Sequence, residues 1–253
     1  MNGRLGVRQV VGRRILRLDS VTSTNDAALG FAERQAEEGT VVVAAEQTLG
    51  RGSRGRKWIS PAGVNLLFST LLRPSVPVER LSELAFVAGV AVARYLIDSV
   101  GLPARVKWPN DVRVGGKKIA GVLIETVGGA SGQPTAVVGV GLNVNWRELP
   151  SDIADTATSV LIETGRETDM ESALEGIVDS LDSVYETYTR DGFPQVLEAW
   201  MALECVTGTT VTILSGEETI RGRAEGIDSD GSLVVRLEDG DLRRVPSAGL
   251  IVD

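Results

Sequence analysis

The pattern of the chain breaks at Glu204, and that break constrains the fold more than any other feature. Beyond it, short β segments at 209–214, 219–227, 233–237 and 241–245 alternate with reversals marked by Gly216, the Asp230–Gly231 pair and Gly240. Evenly spaced short strands of this kind predict a small β-barrel over 205–253. Before the break, strands and helices alternate. The segment 10–18 reads as a strand entering the polar turn Ser23–Asp26. Ser23 or Thr24 can cap a helix over 26–38, which Gly39 closes. The apolar runs 41–45 and 65–72 read as strands, the second stopped by Pro74. Apolar residues recur at helical spacing over 79–100, ahead of Gly101. Strands are expected at 105–107, 112–114, 119–127 and 135–144, with a Gly115–Gly116 turn, and helices at 170–190 and 193–203. The fold class is therefore α+β: a mixed β-sheet with packed helices over 1–204, then the barrel.

A length of 253 residues suits one large and one small domain. No apolar run reaches 18 residues, so no membrane span is expected. The N-terminal stretch MNGRLGVRQVVGRR lacks the apolar core of a secretory signal. A single cysteine, Cys205, forbids an intrachain disulfide, and a cytoplasmic location is expected. The absence of histidine excludes His-based acid–base catalysis and argues against structural zinc. Any metal should be a hard ion on oxygen ligands, most simply Mg2+.

Against a net charge of -8, the stretch GRGSRGRKW (50–58) holds three glycines and four cations: Arg51, Arg54, Arg56 and Lys57. No acid occurs from Gln47 to Ala62. Glycine lets backbone N–H groups approach an anion, and arginine offers a planar fork of donors. An exposed basic turn would look similar. Lysine use adds to the signal. Of 26 Lys and Arg, only Lys57, Lys107, Lys117 and Lys118 are lysine, and all fall in one third of the chain. A compact charge on a flexible stem is what arginine cannot imitate.

Two further motifs follow, KWPND (Lys107–Asp111) and GKKIAGVLIE (Gly116–Glu125). With STND (Ser23–Asp26), the basic loop and GVGLNVN (Gly139–Asn145), the set resembles the biotin protein ligase family from about Asp19 to the C-terminus. The resemblance implies the biotin–lipoate ligase fold, related to class II synthetases, with an SH3-like C-terminal barrel. It implies ATP and biotin as substrates with Mg2+, formation of biotinyl-5′-AMP, and transfer to a lysine of a biotin carboxyl carrier protein.

The resemblance also distributes roles. Ser23, Thr24, Asn25, Gln47, Arg51, Gly52, Ser53, Lys118 and Gly121 would bind biotin; a helix cap is the plainer reading of the first three. Arg54, Arg56, Trp58, Lys107, Asn110, Asp111 and Asn143 would bind ATP or the adenylate. Arg51, Lys107 and Lys118 would be catalytic, and Asp111 would reach the metal. Trp58 is a surface for adenine or a core aromatic. Gly121 permits close ligand approach or marks a bulge. Strand alternation turns Lys117 outward to solvent. The family usually carries a basic residue where Ser53 stands, which bears on closure of the loop over the adenylate. The acid-rich stretch 147–204 reads as solvated helix faces, not as a site.

The alternatives are a lipoate or octanoate ligase, which shares this general fold, and a biotin-sensing regulator. An octanoyltransferase would want a cysteine in the catalytic region, whereas Cys205 lies at its edge. Only 22 residues precede the STND turn, so no DNA-binding domain is expected ahead of it, and a pI near 4.8 disfavours nucleic acid. A homodimer is left open.

Overall fold

The computed structural model describes residues 8–128, 134–216, 218–247 and 250–252, with Arg54 and 250–252 described by backbone alone. The strand expected from Val10 begins only at β1 (Ile15–Val21). The Asp182 carboxylate is the reason. It accepts the backbone N–H groups of Gln9, Val10 and Val11 at 2.7, 2.8 and 2.7 Å, so these donors are committed before a ladder can start. Gly12 then takes φ 82° to turn the chain into β1.

Helix α1 (Thr24–Glu33) follows, with Ser23 as its N-cap; the Ser23 Oγ accepts from the Asn25 N–H. It ends earlier than its sequence suggests, because Gln35 adopts φ 59°. Strands β2 (Val41–Gln47) and β3 (Asn65–Leu72) come next, and every residue of β3 is buried. The helix read over 79–100 is divided: a 3-10 turn at Val78–Glu83, α2 (Leu84–Tyr95) and a π turn at Leu96–Val100, closed by left-handed Gly101. Strands β4 (Arg105–Lys107), β5 (Asp111–Val114), β6 (Lys117–Val127) and β7 (Thr135–Asn143) complete a seven-stranded sheet. Its order is β1-β2-β3-β7-β6-β5-β4, with β1–β2 parallel and the other pairs antiparallel.

A short helix α3 (Val160–Thr164), absent from the sequence reading, precedes α4 (Met170–Asp191) and α5 (Phe193–Leu203). All of α2 except Arg94 is buried, against β6, α4 and α5. Trp200 explains Gly89: a Cβ there would meet its Cζ3 at 2.6 Å. Phe86 packs on Trp200 at a 50° tilt with centroids 4.4 Å apart and meets Phe193 edge-on at 5.3 Å. Each such buried aromatic is worth about 1.5–3 kcal/mol from area alone.

The C-terminal strands β8 (Thr210–Ser215), β9 (Glu218–Ile227), β10 (Leu233–Arg236), β11 (Leu242–Val245) and β12 (Leu250–Val252) form a second sheet, ordered β11-β10-β9-β8-β12. β12 also escaped the sequence reading. The two sheets are not independent. Val211, Ile213, Leu233 and Val235 belong to the same buried cluster as α2 and the large sheet. Trp108, almost wholly buried, donates from Nε1 to the Gly231 carbonyl at 2.9 Å. Among the described residues, no helix is long and apolar enough to cross a membrane.

Candidate active site

A cavity of about 280 Å³ lies on one face of the large sheet. Its floor is glycine-rich because β6 and β7 pair Gly121 with Gly141 and Leu123 with Gly139. A Cβ on Gly139 would meet Asn25 Oδ1 at 2.2 Å, and one on Gly141 would meet Trp58 Cε2 at 2.5 Å. These glycines make room for side chains that descend from α1 and the basic loop. Trp58 therefore lies across the floor, and its Nε1 is buried without a partner.

The N-terminus of α1 forms one end. Ser23, Thr24 and Asn25 are all buried. Gln47 Oε1 accepts from the Thr24 N–H at 2.7 Å and from the Thr24 hydroxyl at 2.9 Å. A backbone N–H can only donate, so the amide orientation is settled and the Gln47 NH2 is the group left for a ligand. Asn25 Nδ2 donates to Glu125 Oε2 at 2.7 Å, and its Oδ1 accepts from Ser69 Oγ at 2.6 Å. Those bonds hold the Asn25 amide against β6 and β3 at the edge of the cavity.

The basic loop closes on itself. Gly52 N–H donates to the Arg56 carbonyl at 2.7 Å, Trp58 N–H to the Gly50 carbonyl at 2.9 Å, and Arg51 bridges Lys57. The result is a small hairpin tipped by a 3-10 turn at Ser53–Gly55. Arg51 reaches back from it: Nη1 lies 2.7 Å from Asp26 Oδ1 and Nη2 lies 2.9 Å from Glu125 Oε2. Burial works to lower the Arg51 pKa, but the hydrogen bonds and charges of Asp26 and Glu125 outweigh it and raise it. Gly52, Ser53 and Arg56 line the cavity; the Arg54 side chain lies outside the described residues.

Lys118, Asn110, Asp111 and Asn143 form the other part of the wall. Lys118 Nζ lies 2.6 Å from Asp111 Oδ1, an ion contact without hydrogen-bond alignment, and 5.5 Å from the Trp58 ring centroid. Asn110 Nδ2 donates to the Val122 carbonyl at 2.6 Å, and Asn143 Nδ2 to the Thr158 carbonyl at 2.9 Å. Asn143 Oδ1 is buried without a partner. Lys107 lies on β4, in register with Asp111, and is buried rather than on the cavity wall.

Two readings of the sequence need correction. Lys117 is not simply solvated: it is half-buried and its Nζ donates to the Ala154 carbonyl at 2.9 Å. The stretch after Arg147 is not merely helix surface, because Ile153, Thr156 and Ala157 line the cavity. They are held by Lys118 N–H donating to the Thr156 carbonyl and Thr158 N–H to the Lys118 carbonyl, at 2.8 and 2.9 Å. Gly139 and Gly141, which line the cavity, and Glu125, Asp26 and Ser69, which bond to lining residues from behind it, were not singled out in the sequence. Glu125 and Asp26 sit inside quoted motifs, where a carboxylate beside a basic loop was the available signal. Ser69, in an apolar strand, gave none.

Residues 17–145 match the biotin/lipoate A/B protein ligase family, and residues 207–252 match the biotin protein ligase C terminal domain. The chain belongs to the biotin/lipoate A/B protein ligase family. Within that family it is 35% identical over 219 residues to the biotin--[acetyl-CoA-carboxylase] ligase of Paracoccus denitrificans, covering 85% of this chain and 90% of that one. It is 31% identical over 250 residues to the bifunctional ligase/repressor BirA of Bacillus subtilis, covering 98% and 77%. The structure of biotin protein ligase from Aquifex aeolicus in complex with biotin and ATP superposes with a TM-score of 0.83 at 30% identity, covering 95% of this chain and 99% of that one. The ligase fold and its C-terminal barrel are thus those expected from the motifs.

Proposed function

We propose that this chain is an ATP-dependent biotin ligase acting on a biotin carboxyl carrier protein. One observation carries the reading: a single cavity offers neutral hydrogen-bonding groups at the α1 end and the Lys118 ammonium at the other. That suits a ligand with a neutral polar ring and a terminal carboxylate. The apolar ring of a lipoyl group would offer no acceptor to the Gln47 NH2 or to the Ser23 hydroxyl hydrogen, and an unmet buried donor costs about 1–3 kcal/mol.

In the first step a carboxylate oxygen of biotin bonds to the α-phosphorus of ATP, and pyrophosphate leaves. In the second the acceptor lysine nitrogen bonds to the acyl carbon, AMP leaves, and the amine loses a proton. Both steps gather anions, so positioning and neutralisation dominate. Ser23, Thr24 and Gln47 hold the ring of biotin. Gly121 keeps the floor low beside Lys118, whose charge meets the carboxylate. Arg51, Gly52 and Ser53 close the loop over it. Arg54, Arg56 and Trp58 take the nucleotide, and Lys107 brings a second cation to the Asp111 end.

Among the described residues no cluster of three or more acidic or thiol groups could cage a metal. Asp111 Oδ1, now paired with the Lys118 ammonium, and Asn143 Oδ1, buried without a hydrogen-bond partner, are hard oxygens on the cavity wall, and Asn110 lies beside Asp111. They fit Mg2+ carried in on ATP, where the ion would neutralise phosphate charge. On this reading residues 1–204 carry the chemistry and 205–253 buttress Trp108. Incubating the purified chain with Mg-ATP, biotin and a carrier domain should add one biotinyl mass to the carrier. A mass gain with lipoate and none with biotin would overturn the reading.

A further inference from the structure

Glu125 stands at the meeting point of three elements. It lies on β6, receives Asn25 from α1, and receives Arg51 from the basic hairpin. The Arg51 contact is bifurcated, with the single nitrogen Nη2 at 3.0 and 2.9 Å from Oε1 and Oε2. Glu125 keeps about a third of its side-chain surface exposed, at 32%. Asp26, one residue after Asn25, takes the other η nitrogen of Arg51. Asn25 in turn is held by Ser69 and stands above Gly139, where any Cβ would expel it.

We infer that Glu125 is a positioning residue for the biotin end of the cavity, setting the Asn25 amide and the Arg51 guanidinium with one carboxylate. Asp26 is its lesser partner, because of the two groups it holds only Arg51, its other contact being a long bond from the Thr22 hydroxyl at 3.3 Å. The chemistry favours this role over direct ligand contact. Both Glu125 oxygens are already taken by Asn25 and Arg51 and the residue does not line the cavity, and a carboxylate neutralised by a guanidinium is a fixed, charge-assisted anchor. Pulling Arg51 toward both α1 and β6 joins the hairpin to the helix that presents Ser23 and Thr24. Closure of the loop and shape of the ring site are then set together. The inference rests on the reading of this cavity as the biotin site.

The test compares Glu125→Gln, Asp26→Asn, Arg51→Lys and the Glu125→Gln/Arg51→Lys double variant, after melting curves confirm cooperative folding. Biotin binding is read by calorimetry and the KM for ATP by pyrophosphate exchange. Glu125→Gln should weaken biotin binding about tenfold or more, since a charge-assisted anchor is lost from two groups. Asp26→Asn should cost about threefold, and neither should move the KM for ATP beyond about twofold. The double variant should be no worse than the poorer single one, because residues that act as a unit are non-additive. Equal losses for both substrates, a strictly additive double variant, or a larger loss from Asp26→Asn than from Glu125→Gln would overturn the inference. Should Glu125→Gln fail to fold, Arg51→Lys keeps the charge but loses the fork, and must show the same biotin-selective loss. Wild-type protein that binds no biotin would instead overturn the ligase reading.

Discussion

The Lys118 ammonium and the Asp111 carboxylate lie 2.6 Å apart across the cavity wall. This pairing keeps the cation in place, and on the ligase reading proposed above it sets a carboxylate beside the metal-bound phosphate. A ligand carboxylate must compete with Asp111 for the same ammonium. Binding at this end therefore depends on the charge of Lys118 more than on its packing.

Replacing Lys118 by Ala should weaken biotin binding by about 1.5–3 kcal/mol, the value of a charge-assisted contact. Replacing Lys117 by Ala removes the bond to the Ala154 carbonyl and should cost about 0.5–1.5 kcal/mol. Calorimetry with biotin ranks the two. Equal losses would mean that both lysines serve the cavity in the same way.

The contrast between these neighbours shows what was legible in the sequence. Lys118 was found through its motif, and alternation along a strand sent Lys117 outward. Alternation cannot report what waits on the outer side, and here it is the 150–157 segment folding back onto β6. The same limit hid Ser69 and Glu125, whose partners lie far away in the chain. Asp182 delays the start of β1 by holding Val10 and Val11 from more than 170 residues away. Local periodicity found most strands and helices. Contacts of long sequence separation fixed where they begin and which polar groups meet.

Gly141→Ala tests the floor of the cavity. Its Cβ would meet the Trp58 indole at 2.5 Å, so the ring must move. Indole fluorescence should shift, and biotin affinity should fall by about tenfold, the scale of overpacking strain of 1–3 kcal/mol. An unchanged spectrum and affinity would show that Trp58 does not rest on this glycine in solution.

Trp108 tests the coupling of the two sheets. Phe in its place leaves the Gly231 carbonyl buried without its donor, and unfolding free energy should drop by about 1–3 kcal/mol. Denaturant melts measure it. A loss below about 0.5 kcal/mol, within ordinary surface variation, would mean that water replaces the indole.

Ser53 tests retention of the intermediate. Its Oγ accepts from Arg56 Nη2 at 3.3 Å, a long and exposed contact. An arginine here would add a charge-assisted grip on the adenylate phosphate, so Ser53→Arg should slow biotinyl-AMP release about fivefold. An unchanged rate, with Arg54→Ala then accelerating release, would assign that grip to Arg54.

The most direct test is ATP–pyrophosphate exchange by the purified chain with Mg2+, comparing biotin, lipoate and octanoate as the driving acid. Exchange driven by biotin, absent with the other two and lost in Lys118→Ala, is the predicted result. Exchange driven by lipoate or octanoate but not by biotin would contradict it.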